Sequence, residues 1–184
     1  MIITLGGTPG SGKSTVGKRL AKRLGYKFYN AGDVRRKYAI DHGMTLEELN
    51  KAAEKDSTSD KLVDDYLAEL GEKEDDFVID SRLGFYFIKK SIKVFIDAED
   101  DVRAKRIMKD KRSEESFRDL EDAKKKITLR LLCDRKRYQK LYGVDPYIPE
   151  QYDLIIDSSH KSVESIVGEI YRFAVFNSHP PKRR

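Results

Sequence analysis

Cysteine is nearly absent from this sequence, and long apolar runs are absent altogether. Cys133 is the only cysteine among 184 residues, so no disulfide can form within the chain. A lone, reduced cysteine is usual in the cytosol, and we expect a cytoplasmic protein. No segment approaches the roughly 18–20 consecutive apolar residues that cross a bilayer, and residues 1–5 lack the basic segment of a signal peptide. We therefore expect no signal peptide and no membrane partner.

A large excess of positive or negative charge is also lacking. The 37 basic and 32 acidic residues give a formal net charge of +5. This excess is modest for a nucleic-acid-binding protein, but it suits an enzyme whose substrates are phosphates. Internal repeats and low-complexity linkers are lacking, so residues 1–177 are predicted to form one domain, followed by a basic tail at residues 178–184. We expect a monomer with no specific nucleic-acid partner.

What the chain does contain is a regular alternation of short apolar segments and longer amphipathic ones. The predicted strands are residues 1–5, 27–29, 77–80, 93–97 and 153–157. The predicted helices are residues 13–24, 33–42, 60–70, 100–111, 117–142 and 162–176, with a further helix that opens at a Thr45–Glu48 capping box. Gly71 is expected to end the helix at residues 60–70. This pattern predicts an α/β fold with a five-stranded parallel sheet and helices on both faces.

The strongest motif follows the first predicted strand and fits G-x-x-x-x-G-K-[ST] in full. It consists of Gly7, Thr8, Pro9, Gly10, Ser11, Gly12, Lys13 and Ser14. These eight residues and Thr15, which follows them, are the predicted ATP-binding residues. The glycines let backbone N–H groups turn toward phosphate oxygens, and the helix N-terminus adds its positive end. Lys13 is predicted to reach the β- and γ-phosphates, and the Ser14 hydroxyl is predicted to ligate Mg²⁺. The motif predicts ATP binding in a fold of the P-loop NTP hydrolase type.

The third and fourth predicted strands each end in an aspartate, at the edge where the phosphates are expected. Asp80 ends the third strand and is predicted to stand behind the Mg²⁺ ion as an outer carboxylate. Asp97 ends the fourth strand. For Asp97 we favour a different role, as the N-cap of the helix that follows.

Other missing motifs narrow the class of P-loop protein. A GTPase needs Asn-Lys-x-Asp to recognise guanine, but the only Asn-Lys pair, Asn50-Lys51, is followed two residues on by Ala53. Large ATPases need a longer chain. Kinases of small molecules remain, and an acceptor that is already a phosphate needs no strong general base. The scarcity of histidine agrees with such an acceptor.

The remaining motifs resemble those of nucleoside monophosphate kinases, and more narrowly the short archaeal-type cytidylate kinases. The resemblance starts with residues 8–15 and Ala31-Gly32-Asp33-Val34-Arg35-Arg36. It continues through residues 79–82, 94–98, 130–137, 142–143 and 152–157 in family order. Two residues depart from it. Ser81 stands where the family usually has glycine, and Ala31 stands where it often has serine.

This resemblance implies transfer of the γ-phosphoryl group of ATP to CMP or dCMP, with Mg²⁺ as cofactor. It implies nucleotide-binding helices at about residues 33–72 and a lid over ATP at about residues 109–116. The catalytic residues would be Lys13, Arg106 in the lid region, and Arg137. The acceptor would contact Asp33, Arg36, Arg82, Arg130, Asp134 and Arg137. Among these, Arg36 and Arg137 would bind phosphate, Arg82 would lie against cytosine, and Arg130 and Asp134 would engage the sugar.

Helical spacing supports part of this assignment independently. Arg130, Asp134 and Arg137 stand at i, i+4 and i+7 on the long helix, and therefore on one face. The alternative is a solvated salt bridge in a chain with 38% charged residues. Arg35 and Lys37, on either side of Arg36, are expected to face solvent.

Two rival functions remain open. One is a kinase of the same fold with another acceptor, such as AMP, dTMP or shikimate. The other is a nucleotide-dependent RNA-binding protein, although no aromatic and basic single-strand platform is evident. The sequence also leaves open the choice among CMP, dCMP and UMP.

Overall fold

A computed structural model describes residues 1–45, 48–49, 58–110 and 117–178. Within them, five parallel strands form one sheet in the order β2-β3-β1-β4-β5. The strands are β1 (Ile2–Gly7), β2 (Lys27–Asn30), β3 (Phe77–Asp80), β4 (Ile92–Asp97) and β5 (Leu154–Asp157). The predicted parallel sheet is confirmed.

Seven helices are present in the described part of the chain. They are α1 (Lys13–Leu24), α2 (Ala31–Asp41), α3 (Thr58–Lys73), α4 (Gly84–Phe87), α5 (Asp100–Lys109), α6 (Leu120–Tyr142) and α7 (Val163–Ser178). A 3₁₀ turn at Pro149–Gln151 precedes β5. The short helix α4 was not predicted. None of these helices is both long and apolar enough to span a membrane.

The sheet separates two apolar layers, because successive side chains of a strand point to opposite faces. On β4, Val94 and Ile96 pack in one layer with α1 and α7, whereas Phe95 packs in the other with α3 and α6. On β3, Val78 lies in the first layer, and its neighbours lie in the second. Strands buried on both faces explain the continuous apolar runs in the sequence.

One predicted helix end is wrong. Gly71 was expected to stop α3, but the helix continues to Lys73. A Cβ atom at Gly71 would lie 3.1 Å from two side-chain carbons of Ile88. The absence of a side chain at Gly71 therefore lets α3 pack closely against the segment after α4, and this packing outweighs the usual helix-ending tendency of glycine.

The topology brings the predicted site segments to one edge. In a parallel sheet all strands end at the same edge. The helix that follows a strand therefore starts at that edge. The strands β3 and β4 flank β1 on opposite sides, and a crevice forms at the carboxyl edge where the chain changes sides. The phosphate loop follows β1, while Asp80 and Asp97 end β3 and β4.

Some predictions fall partly or wholly outside the described residues. The capping box is confirmed: the Thr45 N–H donates to Glu48 Oε2 at 2.8 Å, and the Glu48 N–H donates to Thr45 Oγ1 at 3.1 Å. The rest of that helix, residues 111–116 of the predicted lid and residues 179–184 of the basic tail lie outside the described residues.

Candidate functional site

The loop between β1 and α1 is built from backbone that only glycine adopts readily. Gly10 has a φ of +81°, and a Cβ atom there would lie 2.6 Å from the carbonyl oxygen of Arg103. Gly12 stands at the N-cap of α1 with a φ of +90°, and no side chain caps the helix. The first N–H groups of α1 therefore need another acceptor, and a phosphate supplies one.

Lys13 lies in this loop with its charge poorly compensated. Its Nζ donates to the carbonyl oxygen of Thr8 at 2.6 Å. Burial lowers the pKa of Lys13 to about 8; Asp80 opposes this shift, whereas the nearby cations Arg82 and Arg130 add to it. A polyanion bound here would stabilise the charged form of the lysine, which is the behaviour expected of a phosphate-binding group.

The predicted Mg²⁺ residues are brought together. Ser14 Oγ donates to Asp80 Oδ2 at 2.5 Å, and Asn30 Nδ2 lies 3.3 Å from the same oxygen. The hydroxyl and carboxylate oxygens are the hard ligands that Mg²⁺ prefers, so the residues present fit that ion. No group of three or more His, Cys, Asp or Glu side chains suited to a metal occurs in the described ranges. Mg²⁺ commonly takes one or two protein groups and completes its shell with phosphates and water.

Asp97 has a different role from the one predicted. The N-cap of α5 is Glu99, and so the N-cap interpretation of Asp97 is wrong. Instead, Asp97 Oδ1 accepts a hydrogen bond from Thr8 Oγ1 at 2.5 Å and another from the Ala98 N–H at 2.8 Å. Asp97, at the end of β4, thus anchors the phosphate loop through a hydrogen bond to Thr8.

Arg106 lies on the far side of the phosphate loop, facing a second hollow of about 440 Å³ between the loop and α5. Its two terminal nitrogens donate to the hydroxyl and the carbonyl oxygen of Ser158, at 2.9 and 2.8 Å. Ser158 in turn donates to the carbonyl oxygen of Ser11 at 2.8 Å. Arg106 therefore contacts the structure that supports the loop, and most of the lid it was assigned to lies outside the described residues.

Another cleft, of about 360 Å³, opens from the phosphate loop toward α2, α3 and α6. Its lining includes Lys13 and Ser14, and four of the predicted acceptor residues: Asp33, Arg36, Arg82 and Arg130. Arg36 remains 37% exposed, and its NH1 pairs with Asp33 Oδ1 at 2.5 Å. This half-exposed arginine is available to a ligand in the cleft.

A chain of alternating charges, which we call the ion-pair chain, runs along the cleft wall and behind it: Arg35, Asp60, Arg137, Asp134 and Arg82. The successive N–O distances are 2.5, 3.3, 2.7 and 2.8 Å. The chain joins α2, α3, α6 and the loop after β3. The expectation that Arg35 faces solvent is therefore wrong, since it is only 6% exposed. The alternative of a solvated salt bridge on α6 is not supported either, because Asp134 and Arg137 are buried.

The ion-pair chain strongly favours ionised groups. Burial alone would raise the pKa of Asp134, but Arg82, Arg137 and Arg130 together hold it below its usual value. The hydroxyl of Tyr147 also donates to Asp134 Oδ2 at 2.8 Å. Tyr147 was missed by the sequence analysis, because it lies beyond the helix that carries its partner.

The predicted residues separate into two groups. Arg36, Arg82 and Arg130 line the cleft, whereas Asp134 and Arg137 are buried behind its wall. Because Arg82 lowers the pKa of Lys13, it lies at the phosphate end of the cleft. The expected contact of Arg82 with cytosine stays a prediction.

Two carboxylates on α3, Asp60 and Asp64, were also missed, although both line the cleft. They share a helical face with Val63 and Leu67, at i, i+3, i+4 and i+7. Two aspartates that interrupt an apolar face are the signal that could have revealed them, since carboxylates are seldom buried without a partner or a function.

Comparison with known proteins agrees with this geometry. A model of the cytidylate kinase-like family matches residues 2–160. The cytidylate kinase of Archaeoglobus fulgidus is 39% identical over 173 residues, which cover 94% of this chain and 93% of that protein. The cytidylate kinase of Pyrococcus abyssi is 40% identical over 167 residues, with coverages of 90% and 89%.

Solved structures show the same architecture. The shikimate kinase from Bacteroides thetaiotaomicron aligns with a TM-score of 0.69 at 18% identity, over 95% of this chain and 98% of that chain. The shikimate kinase from Aquifex aeolicus aligns with a TM-score of 0.61 at 26% identity, over 97% and 98%. The fold is thus that of small P-loop kinases.

Proposed function

Because the chain belongs to the cytidylate kinase-like family, we propose that it transfers the γ-phosphoryl group of ATP to CMP or dCMP, giving ADP and CDP or dCDP. The observation that carries this proposal is a single cleft that joins a complete phosphate loop to a basic acceptor wall. Lys13 and Ser14 line this cleft together with Arg36 and Arg130.

In this proposal the loop side holds the donor. The N–H groups of α1 and the Lys13 ammonium bind the β- and γ-phosphates, and Ser14 with Asp80 holds Mg²⁺. When bound, Mg²⁺ supplies positive charge to the donor phosphates. Arg106 supports the loop from the other side through Ser158.

The basic residues of the wall hold the acceptor. Arg36 binds its phosphate, Asp33 orients Arg36, and Arg130 together with Asp134 engages the sugar. Arg137 is proposed to act on the acceptor phosphate as well, although its buried guanidinium is held between Asp60 and Asp134.

The reaction needs little beyond positioning and charge. An oxygen of the acceptor phosphate attacks the γ-phosphorus of ATP, and the bond to the β–γ bridging oxygen breaks, so that ADP leaves with its electrons. The attacking oxygen is already ionised, and no proton has to be removed. Accordingly, no histidine lines the described part of the cleft. The arginines offset the repulsion between two polyanions, and this is the main barrier that such an enzyme has to lower.

The test is an ADP-release assay with ATP, Mg²⁺ and equal concentrations of CMP, dCMP, UMP, AMP, dTMP and shikimate. We expect CMP or dCMP to give the highest kcat/KM. If AMP or shikimate were the best acceptor, the cytidylate assignment would be wrong, while a kinase of this fold would remain. ADP release that is independent of every acceptor would contradict the kinase function itself.

A further inference from the structure

The α3 wall of the cleft combines charge with an apolar surface. Asp60, Val63, Asp64 and Leu67 all line the cleft from one face of this helix. Because α3 leads into β3, its N-terminal turns lie at the carboxyl edge of the sheet, beside the phosphate loop. An acceptor whose phosphate is bound by Arg36 would extend its remaining part toward this wall.

Asp64 is a carboxylate with incomplete compensation. Asp64 is 7% exposed, and its Oδ2 accepts a hydrogen bond from the hydroxyl of Tyr142. In the described residues, its Oδ1 has no hydrogen-bond donor. Burial, together with Asp60 and Asp65, raises the pKa of Asp64 to about 7, although Arg35 and Arg137 oppose the shift. A ligand with an N–H donor would stabilise the ionised carboxylate.

Arg35, in contrast, has hydrogen-bond donors that lack an acceptor. Its NH1 pairs with Asp60, but its buried Nε and NH2 have no acceptor among the described residues. A buried donor without a partner is destabilising. Arg35 also lines the cleft and lies close enough to Asp64 to influence its pKa. The cleft is thus lined by a carboxylate and by a guanidinium that has two donors without acceptors among the described residues.

The surroundings suit a flat ring. Val63 and Leu67 line the cleft from α3, and Leu83 and the ring of Tyr138 line it from the loop after β3 and from α6. Apolar walls around a few polar groups are the usual arrangement in a small-molecule site.

We propose that Asp64 and Arg35 recognise the edge of the acceptor base, with Asp64 accepting a hydrogen bond from the 4-amino group of cytosine and Arg35 donating to N3 and O2. Cytosine presents one donor beside two acceptors, and the carboxylate and guanidinium match them. Uracil places a carbonyl oxygen against Asp64 and an N–H against Arg35, so both contacts become repulsive. This inference rests on the proposed function and assigns base selection within it to α2 and α3.

The test compares kcat/KM for CMP and UMP in wild type, Asp64→Asn and Asp65→Asn. The Asp64→Asn change keeps the shape of the side chain, but its amide can donate to the O4 of uracil. We expect it to lower CMP efficiency by about ten- to a hundredfold and to lower the CMP/UMP ratio by at least tenfold. Asp65 is the adjacent, exposed aspartate of the same helix, and Asp65→Asn should leave the ratio unchanged.

A second measurement does not depend on a variant's stability. The monophosphate of the 2-pyrimidinone nucleoside lacks only the amino group. Wild type should use it about ten- to a hundredfold less efficiently than CMP. If Asp64→Asn folds, it should discriminate between the two by less than threefold.

The outcomes are distinguishable. Wild-type discrimination of less than threefold, or a parallel loss of CMP and UMP activity in Asp64→Asn, would overturn the inference and leave the kinase function intact. A wild-type enzyme that phosphorylates none of these pyrimidines would contradict the proposed function itself. Adenine also carries an amino group next to a ring acceptor, so any AMP activity should fall together with CMP activity in Asp64→Asn.

Discussion

The two halves of the cleft are built in different ways. On the proposed donor side, the eight consecutive residues 7–14 form the phosphate-loop motif, and backbone N–H groups are proposed to supply most of the binding atoms. On the acceptor side, the ion-pair chain links side chains from four separate segments, and even its first pair, Arg35 with Asp60, is 25 residues apart. The triphosphate of ATP is the same for every ATP-dependent enzyme, and a local backbone motif is enough to bind it. Recognition of one particular acceptor needs side chains from segments that only the folded protein brings together.

The largest expected effect comes from breaking the ion-pair chain. Asp60 is 2% exposed and pairs with both Arg35 and Arg137. Asp60→Asn leaves the buried guanidinium of Arg35 without its anion and leaves Arg137 with Asp134 alone, and we expect a loss of about 3–5 kcal/mol in the free energy of unfolding. Urea denaturation at pH 7 measures this loss.

The matched control lies on the same helix. Glu69 pairs with Lys73 at the exposed surface of α3, and such pairs contribute about 0–1 kcal/mol. Glu69→Gln should therefore change the free energy of unfolding by less than about 1 kcal/mol. Similar losses in Asp60→Asn and Glu69→Gln would show that the ion-pair chain does not hold the acceptor side together.

On the donor side, the largest expected effect is on turnover rather than on stability. Lys13→Met should lower kcat by about a hundredfold or more, because it removes a preorganised charge from the transferring phosphate. The exposed Lys18 of α1 provides the control, and Lys18→Met should have turnover close to that of wild type. A Lys13→Met enzyme with turnover within threefold of wild type would contradict the assignment.

Stability gives a second readout for the same variant. Because folding lowers the pKa of Lys13 to about 8, the charged lysine opposes folding wherever it is protonated in the folded state. This penalty is fully present below pH 8 and disappears as the pH rises toward 10.5. The stability of Lys13→Met relative to wild type should therefore be highest near pH 7 and should decrease toward pH 10, as followed by thermal unfolding.

The same contrast explains what the sequence could predict. Ser14 and Asp80 are 66 residues apart, yet their meeting was predictable because both stand at the carboxyl edge of neighbouring strands. Arg35 was expected in solvent, since charged residues usually lie there. Its burial depends on Asp60, and the pairing of two helices is not encoded in the local pattern of either.

Arg36 and Arg137 test whether acceptor binding and folding can be separated. Arg36 lines the cleft and is half-exposed, whereas Arg137 is buried between two aspartates. Either change to Met should raise the acceptor KM roughly ten- to a hundredfold, with little change in the ATP KM. Only Arg137→Met should also lower the free energy of unfolding, by about 3 kcal/mol or more. An equal rise of both KM values would count against the two assignments.

Arg82 sharpens the comparison, because it lies where the two halves of the cleft meet. If it contacts cytosine, Arg82→Met should reduce the CMP/UMP ratio of kcat/KM by roughly tenfold, with the ATP KM nearly unchanged. If it acts on the phosphates beside Lys13, kcat should fall equally for both acceptors, and the ratio should stay constant. Steady-state kinetics with CMP and UMP decide between these two roles.

The smallest expected effect concerns one of the side-chain contacts that anchor the phosphate loop. Thr8 is buried, and its hydroxyl donates to Asp97 at the end of β4. Thr8→Val keeps the shape of the side chain but removes this charge-assisted hydrogen bond, and Asp97 retains the N–H of Ala98. We expect a loss of about 1–2 kcal/mol in stability and an ATP KM raised by roughly threefold to tenfold.

The acceptor KM should not change in Thr8→Val, since the backbone of the loop supplies the donor-binding groups and the acceptor wall is separate from it. Thr128 is exposed on α6, and Thr128→Val provides a control in which both KM values should stay close to wild type. If Thr8→Val instead raised the acceptor KM as strongly as the ATP KM, the two halves of the cleft would have to be coupled through the loop. The donor side would then depend on side chains from distant segments as much as the acceptor side does.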